Sequence, residues 1–181
     1  TGSPNVCISG GVGLNALANG KIYKETPFKK AYIFGAAGDS GAAMGAGLFV
    51  YHQLLNLCPR YPITTLCLGP YYKSEDIEAE LKKYKVHYVR LAEDKLTEAV
   101  ARRLCENKIV GWFQGRMEFG PRALGARSIL ANPKPAFMKE KVNKIKIREQ
   151  FRPFAGSTLQ DKVREYFETP ETNHSSPFMT F

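Results

Sequence analysis

Twice near its N-terminus the chain reads as a short apolar run, a turn of glycine and other small residues, and then a helix, and that repetition points to an α/β fold. Residues 5–9 (NVCIS) form the first β-type run, Gly10 and Gly11 break it, and residues 12–23 read as the helix that follows. Residues 31–34 (AYIF) form the second run, 35–41 (GAAGDSG) the small-residue loop, and 42–57 an apolar helix. Gly45 and Gly47 stand inside that helix, where each costs about 1 kcal/mol relative to alanine, so the pattern predicts close packing and burial there.

Residues 58–70 (CPRYPITTLCLGP) carry three prolines and no helical period, which predicts a boundary between one domain over residues 1–69 and another over 70–181. Beyond it, Ser74 reads as the N-cap of a helix with acids early and lysines late, in line with the helix dipole. Residues 86–91, 109–113, 127–131 and 154–159 read as strands, and 97–107 and 136–147 as helices, so the second half is also α/β. Hydrophobic residues make up 44% of the chain and charged residues 24%, which excludes the disordered and fibrous classes. No apolar run reaches the roughly eighteen residues of a membrane span, and no basic segment followed by an apolar one opens the chain. A soluble, cytoplasmic protein is expected. Thr1-Gly2-Ser3-Pro4 at one end and the apolar stop at Phe181 predict a piece of a longer chain, with its second domain incomplete at the C-terminal side.

The net charge of +9 is not spread evenly. Between Arg102 and Arg152 thirteen basic residues face four acidic ones (Glu106, Glu118, Glu140 and Glu149), so this segment holds the whole excess. Such a block calls for an anionic partner: a phosphate-bearing small molecule, a nucleic acid or an acidic protein. Cys7, Cys58, Cys67 and Cys105 form no CxxC pair and no disulfide-dense spacing, which fits a reducing compartment. His52, His87 and His174 form no metal-type pair and read as ordinary surface or half-buried side chains.

Three segments can carry chemistry. In Ser9-Gly10-Gly11-Val12-Gly13-Leu14-Asn15 glycines let backbone approach a ligand at a strand-to-helix turn, although neither a phosphate-binding GK[ST] nor a complete GxGxxG is present. The alternative is a simple tight turn. In the 35–41 loop Asp39 stands among residues too small to cover it, at the carboxyl end of a strand where ligand crevices lie. It can bind a metal or a ribose, or cap the next helix. The third segment, Gln114 to Ser128, sets Arg116, Arg122 and Arg127 among glycines, and Asn143, Lys144, Lys146, Arg148 and Arg152 continue its charge. Arginine forks hold phosphate or carboxylate oxygens at two points, and so many cations suit a polyphosphate or two anionic substrates. The structural alternative pairs several of them with Glu118, Glu140 and Glu149. Trp112, Phe113, Phe119, Phe151 and Phe154 interleave with this charge, which allows base stacking, but most read as core.

Taken together, SGGVGLN, GAAGDSGAAMGAG, GWFQGRMEFGPRALGARSIL and NKIKIREQFRPFA resemble the carbamoyltransferases of the nodulation-protein-U type, over nearly the whole chain. The resemblance implies the end of an actin-like (ASKHA) domain followed by a YrdC-like α/β domain. It implies an ATP-dependent enzyme in which carbamoyl phosphate and ATP give carbamoyl adenylate and pyrophosphate, and the carbamoyl group passes to a hydroxyl of a small-molecule acceptor. By the same resemblance Arg122 and Arg148 are catalytic, and Arg116, Arg127, Lys144 and Arg152 bind substrate phosphates. Gly10, Gly11 and Asn15 match the adenylate-side loop, and Asp39 matches a carboxylate ligand of a bound iron, Fe(II). The HxxxH pair of the family is absent from this sequence. A nucleic-acid-binding module and a tRNA threonylcarbamoyladenosine-type factor are the alternatives. The acceptor and the oligomeric state are not written in the sequence.

Overall fold

The structure is a computed structural model that describes residues 2–169 and 176–181; His174 lies outside the described residues. The chain forms two units, one of Thr1–Gly69, Glu118–Leu124 and Leu159–Phe181, the other of Pro70–Met117 and Gly125–Thr158. Both mix helices with a two-stranded sheet, an α/β composition.

In the first unit β1 (Asn5–Ile8) and β2 (Lys30–Ile33) pair in parallel, with Asn5 opposite Lys30 and Ile8 opposite Ile33. Parallel pairing requires a crossover, and α1 (Ala16–Glu25) supplies it. The predicted helix over 12–23 is two pieces: a 3-10 turn over Gly11–Leu14, then a break at Asn15, whose side chain accepts the Ala18 amide at 3.1 Å and so caps α1. The core is small: Ile22, Ile33 and Ala37 are buried, with Val6, Ile8 and Leu14 packed beside them. Buried Asn19 donates to Gly13 O at 2.8 Å and to Thr180 O at 2.6 Å, so a polar side chain joins the two ends of the unit through its interior.

The second glycine loop leads into α2 (Asp39–Phe49), which starts three residues before the expected position and runs into a π turn over Val50–Leu54. Its predicted burial is not found. No residue of α2 is buried, and a Cβ added at Gly45 or Gly47 would meet nothing within 4 Å, because no element among the described residues packs across that face. Gly41 is different: a Cβ there would lie 2.0 Å from Ala36 O, so the helix entry can form only without one.

The second unit holds α3 (Ser74–Lys83), α4 (Glu93–Cys105), the antiparallel pair β3 (Val110–Phe113) and β4 (Arg127–Leu130), and α5 (Met138–Ile145). Ser74 is the first helical residue rather than the cap; the cap is Lys73, whose amide donates to the Asp76 carboxylate at 3.0 Å. Two expected strands are absent. Residues 86–91 alternate in sequence, yet all are exposed and pair with no strand; Tyr88 and Arg90 instead reach Glu78 on α3 at 2.7 and 3.3 Å. Residues 154–159 are likewise exposed and irregular. A strand needs a neighbour to satisfy its backbone, and alternation alone does not provide one.

Two substitutions separate the roles of the glycines. Gly41→Ala should destabilise by about 1–3 kcal/mol through overpacking, whereas Gly45→Ala should stabilise by about 0.5–1 kcal/mol through helix propensity. Urea unfolding of both variants checks this; equal midpoints would contradict the close approach at Gly41.

Candidate functional site

In the first unit the two glycine loops touch. Gly10 N donates to Ala37 O at 2.7 Å, and Cβ atoms built on Gly13 and Gly38 would lie 3.2 Å from Ala37 Cβ and 3.8 Å from Gly11 Cα. Both loops leave the same end of the parallel pair, where the strand carboxyl ends of an open α/β sheet form a crevice. A third segment joins them. Between β3 and β4 the chain makes a long excursion instead of a tight hairpin, and its middle, Glu118–Leu124, belongs to the first unit. There Phe119 N donates to Leu66 O at 2.7 Å, and buried Glu118 accepts the Leu124 amide at 2.8 Å, which closes the segment on itself. Gly120, at φ +103°, lies so close that an added Cβ would sit 3.0 Å from Ala36 Cβ. Arg122 is half-buried and donates to Leu14 O, and burial lowers its pKa from the ordinary value.

Asn15 and Asp39 stand at the rim of these loops, both exposed. The Asn15 amide oxygen is engaged as the α1 cap. Asp39 is the acid of the first turn of α2, with no side-chain capping bond at that helix start, so the capping alternative for it is not realised. No group of three His, Cys, Asp or Glu residues suited to a metal occurs among the described residues. Among the described residues Asp39 is thus a lone donor and does not by itself fit an iron site.

The other basic residues belong to the second unit, and most have local partners. At the neck of the excursion Gln114 N donates to Ala126 O at 2.9 Å and Gln114 Nε2 to Gly125 O at 2.9 Å. Arg127 fastens the same neck: its guanidinium donates to Gln114 O at 2.8 Å and Ala126 O at 2.9 Å, and lies 3.4 Å from the centre of the Phe113 ring. Arg116 is exposed nearby in sequence. Around α5, Lys144 pairs with Glu140 at 2.9 Å and Arg152 with Glu149 at 2.7 Å. Lys144 holds the Glu140 carboxyl below its usual range; Glu149 is lowered first by its own backbone amide, then by Arg152. These are the structural pairs that the sequence allows as an alternative to phosphate binding.

Arg148 is held differently. Its Nε donates to Asn143 Oδ1 at 2.6 Å, a terminal nitrogen donates to Pro153 O at 3.1 Å, and the guanidinium lies 4.3 Å from the centre of the Phe154 ring. Asn143, fully buried, also donates to Gln150 O at 3.2 Å and Arg152 O at 3.1 Å. One amide thus pins the turn after α5 and aims Arg148, whose hydrogen-bond partners are all uncharged. The aromatics expected as core are mostly outside it: Phe113 is 52% exposed and Phe151 76%, while Trp112 and Phe119 are half-buried. Phe113 and Phe154 serve as platforms for arginines, which explains their exposure.

The comparisons with known proteins agree with one family. The model for the carbamoyltransferase N-terminus matches residues 1–48, and that for the carbamoyltransferase C-terminus matches residues 101–181. The chain belongs to the carbamoyltransferase family. An uncharacterised protein of Synechocystis sp. is 46% identical over 98% of this chain and 30% of its own length. Nodulation protein NolO of Bradyrhizobium diazoefficiens is 39% identical over 100% of this chain and 33% of its own length. Nodulation protein U of Azorhizobium caulinodans is 36% identical over 92% of this chain and 28% of its own length. The carbamoyltransferase chain spans about a third of the length of the curated relatives it matches. No helix among the described residues is long and apolar enough to cross a membrane.

Asn143 and Asn19 are the residues that sequence reasoning undervalued. Asn19 stands three residues before Ile22 on the buried face of α1, and that placement was the available signal; Asn143 adjoins Val142 but lies off the stripe of Met138, Val142 and Ile145 in α5, so nothing local marked it. Asn143→Ala should lower stability by about 1–3 kcal/mol, because it leaves backbone carbonyls and Arg148 without their partner. Thermal unfolding checks it, and a variant as stable as the parent would show that the turn is held by other contacts.

Proposed function

We propose that this chain is part of an ATP-dependent O-carbamoyltransferase, with the first unit contributing to an actin-like transfer domain and the second to a YrdC-like activating domain. In this reading water cleaves carbamoyl phosphate to carbamate and inorganic phosphate, the carbamate oxygen attacks the α-phosphorus of ATP with pyrophosphate leaving, and the carbamoyl group of the resulting adenylate then passes to a hydroxyl of a small-molecule acceptor with AMP as the leaving group. The observation that carries it is the preset Arg148: a guanidinium fixed by a buried amide, a carbonyl and a ring, with its charge not taken up by a hydrogen-bonded acid. A cation already oriented stabilises phosphate charge as it develops without reorganising at the moment of reaction. Arg116, Arg127, Lys144 and Arg152 add positive potential around the same substrates. The Lys144 and Arg152 ion pairs are solvent-exposed, and such pairs are worth about 0–1 kcal/mol, so phosphate oxygens can displace their carboxylates. Gly10, Gly11 and Asn15 serve the nucleotide side of the transfer domain. The family assignment does not favour the nucleic-acid module or the tRNA-modifying factor.

Calorimetric titration of the chain with carbamoyl phosphate, with and without a non-hydrolysable ATP analogue, tests this reading against inorganic phosphate. Saturable binding that the analogue strengthens and phosphate does not mimic is expected. Arg148→Ala should weaken it roughly tenfold to a hundredfold, the loss of one charge-assisted hydrogen bond. Binding unchanged in Arg148→Ala would remove Arg148 from the site, and no binding at all in the parent chain would remove the substrate assignment.

A further inference from the structure

We infer that Arg122 is a positioning residue of the transfer half, which fixes the glycine turn at Gly11–Leu14 for a nucleotide; this rests on the nucleotide-side reading of that turn. Its sequence neighbours Arg116 and Arg127 belong to the second unit, but the segment Glu118–Leu124 that carries Arg122 belongs to the first. That segment is anchored before it reaches the turn. Phe119 N is bonded to Leu66 O, Gly120 is seated against Ala36, and Glu118 accepts the Leu124 amide. Its free conformational space is small, so Arg122 is delivered to one place.

A 3-10 turn of four residues leaves its last carbonyls without partners inside the turn, and unsatisfied carbonyls let it unwind. Here each is met: Val12 O accepts the Asn15 amide at 2.9 Å, Gly13 O accepts Asn19 Nδ2 at 2.8 Å, and Leu14 O accepts Arg122. Two of the three acceptors are thus satisfied by side chains from other segments, and Arg122 holds the last one, immediately before Asn15. The donor matters here as much as the charge: a carbonyl partner holds the half-buried cation in place, while the Gly10 and Gly13 amides are spent on Ala37 O and Gly10 O and keep the turn closed on its neighbours. Arg122 therefore acts through the turn and not on phosphate itself.

The test uses backbone amide signals of Gly10, Gly11, Gly13 and Asn15 in the intact chain, which report on the first unit alone. In the parent, the non-hydrolysable ATP analogue should shift these signals saturably. Arg122→Ala should speed hydrogen exchange at Gly13 and Asn15 at least about tenfold and weaken the analogue at these signals by a similar factor, with exchange in β3 and β4 unchanged. Arg122→Lys, which keeps one donor and the charge, should recover most of both effects, and Arg122→Met, which keeps the length and removes the donor, should show the same changes as alanine and stands in if the alanine variant does not fold. Exchange at the turn unaltered in the variants overturns the inference while saturable shifts in the parent uphold the nucleotide reading. Faster exchange with unaltered affinity also overturns it, since that is a merely structural residue. Silence of the parent's turn signals toward the analogue removes the nucleotide reading and the inference together.

Discussion

The contact on which the first unit depends is the one between two loops with almost no side chains. Gly10 N reaches Ala37 O at 2.7 Å, and this is possible because Gly13, Ala36, Ala37 and Gly38 leave the backbones room to meet. Ala36 and Ala37 are 0% and 6% exposed, so this thin layer is as much a core as the isoleucines beneath it. Once the loops meet, the parallel register of β1 with β2, the entry of α2 at Gly41 and the seat of Gly120 follow from it. A methyl group added at Gly13 would press on Ala37 at 3.2 Å, and one at Gly41 would lie 2.0 Å from Ala36 O, which cores tolerate poorly.

The basic segment divides by what its cations touch. Lys144 and Arg152 sit in exposed pairs with nearby acids, which contribute little to stability and leave the side chains ready to exchange partners. Arg127 and Arg148 are instead held by backbone carbonyls, by an asparagine in the case of Arg148, and by aromatic faces, which fixes where their guanidinium groups lie. Cations held by neutral partners preset a field; those in exposed ion pairs can exchange their carboxylate for a ligand.

Much of this was legible in the residues. The two strand–glycine–helix units appear where the period and the glycines place them, and α3, α4 and α5 appear with ends displaced by a few residues: α2 and α4 begin early because acids and small residues in the first turn extend a helix beyond its apolar stripe, while α5 is shorter than its pattern at both ends. The strands expected at 86–91 and 154–159 failed for one physical reason: alternation reports a face that could be buried and says nothing of a partner to pair with. The burial expected of α2 failed similarly, since glycine inside a helix permits close packing without supplying the surface to pack on. For the site, residue types were readable but allegiance was not. Nothing local in GPRALGAR tells that Arg122 sides with the glycine turn while Arg127, five residues later, fastens the neck, because that is set by contacts between distant segments.

The Asn19 amide that joins Gly13 O to Thr180 O ties together residues separated by 161 positions. The first unit is assembled from three separate stretches, Thr1–Gly69, Glu118–Leu124 and Leu159–Phe181, and Pro70–Met117 and Gly125–Thr158 of the second unit interrupt it. Contacts that must close long loops form later than local ones, so the bond of Asn19 to Thr180 should follow the antiparallel pairing of β3 with β4 when the chain folds.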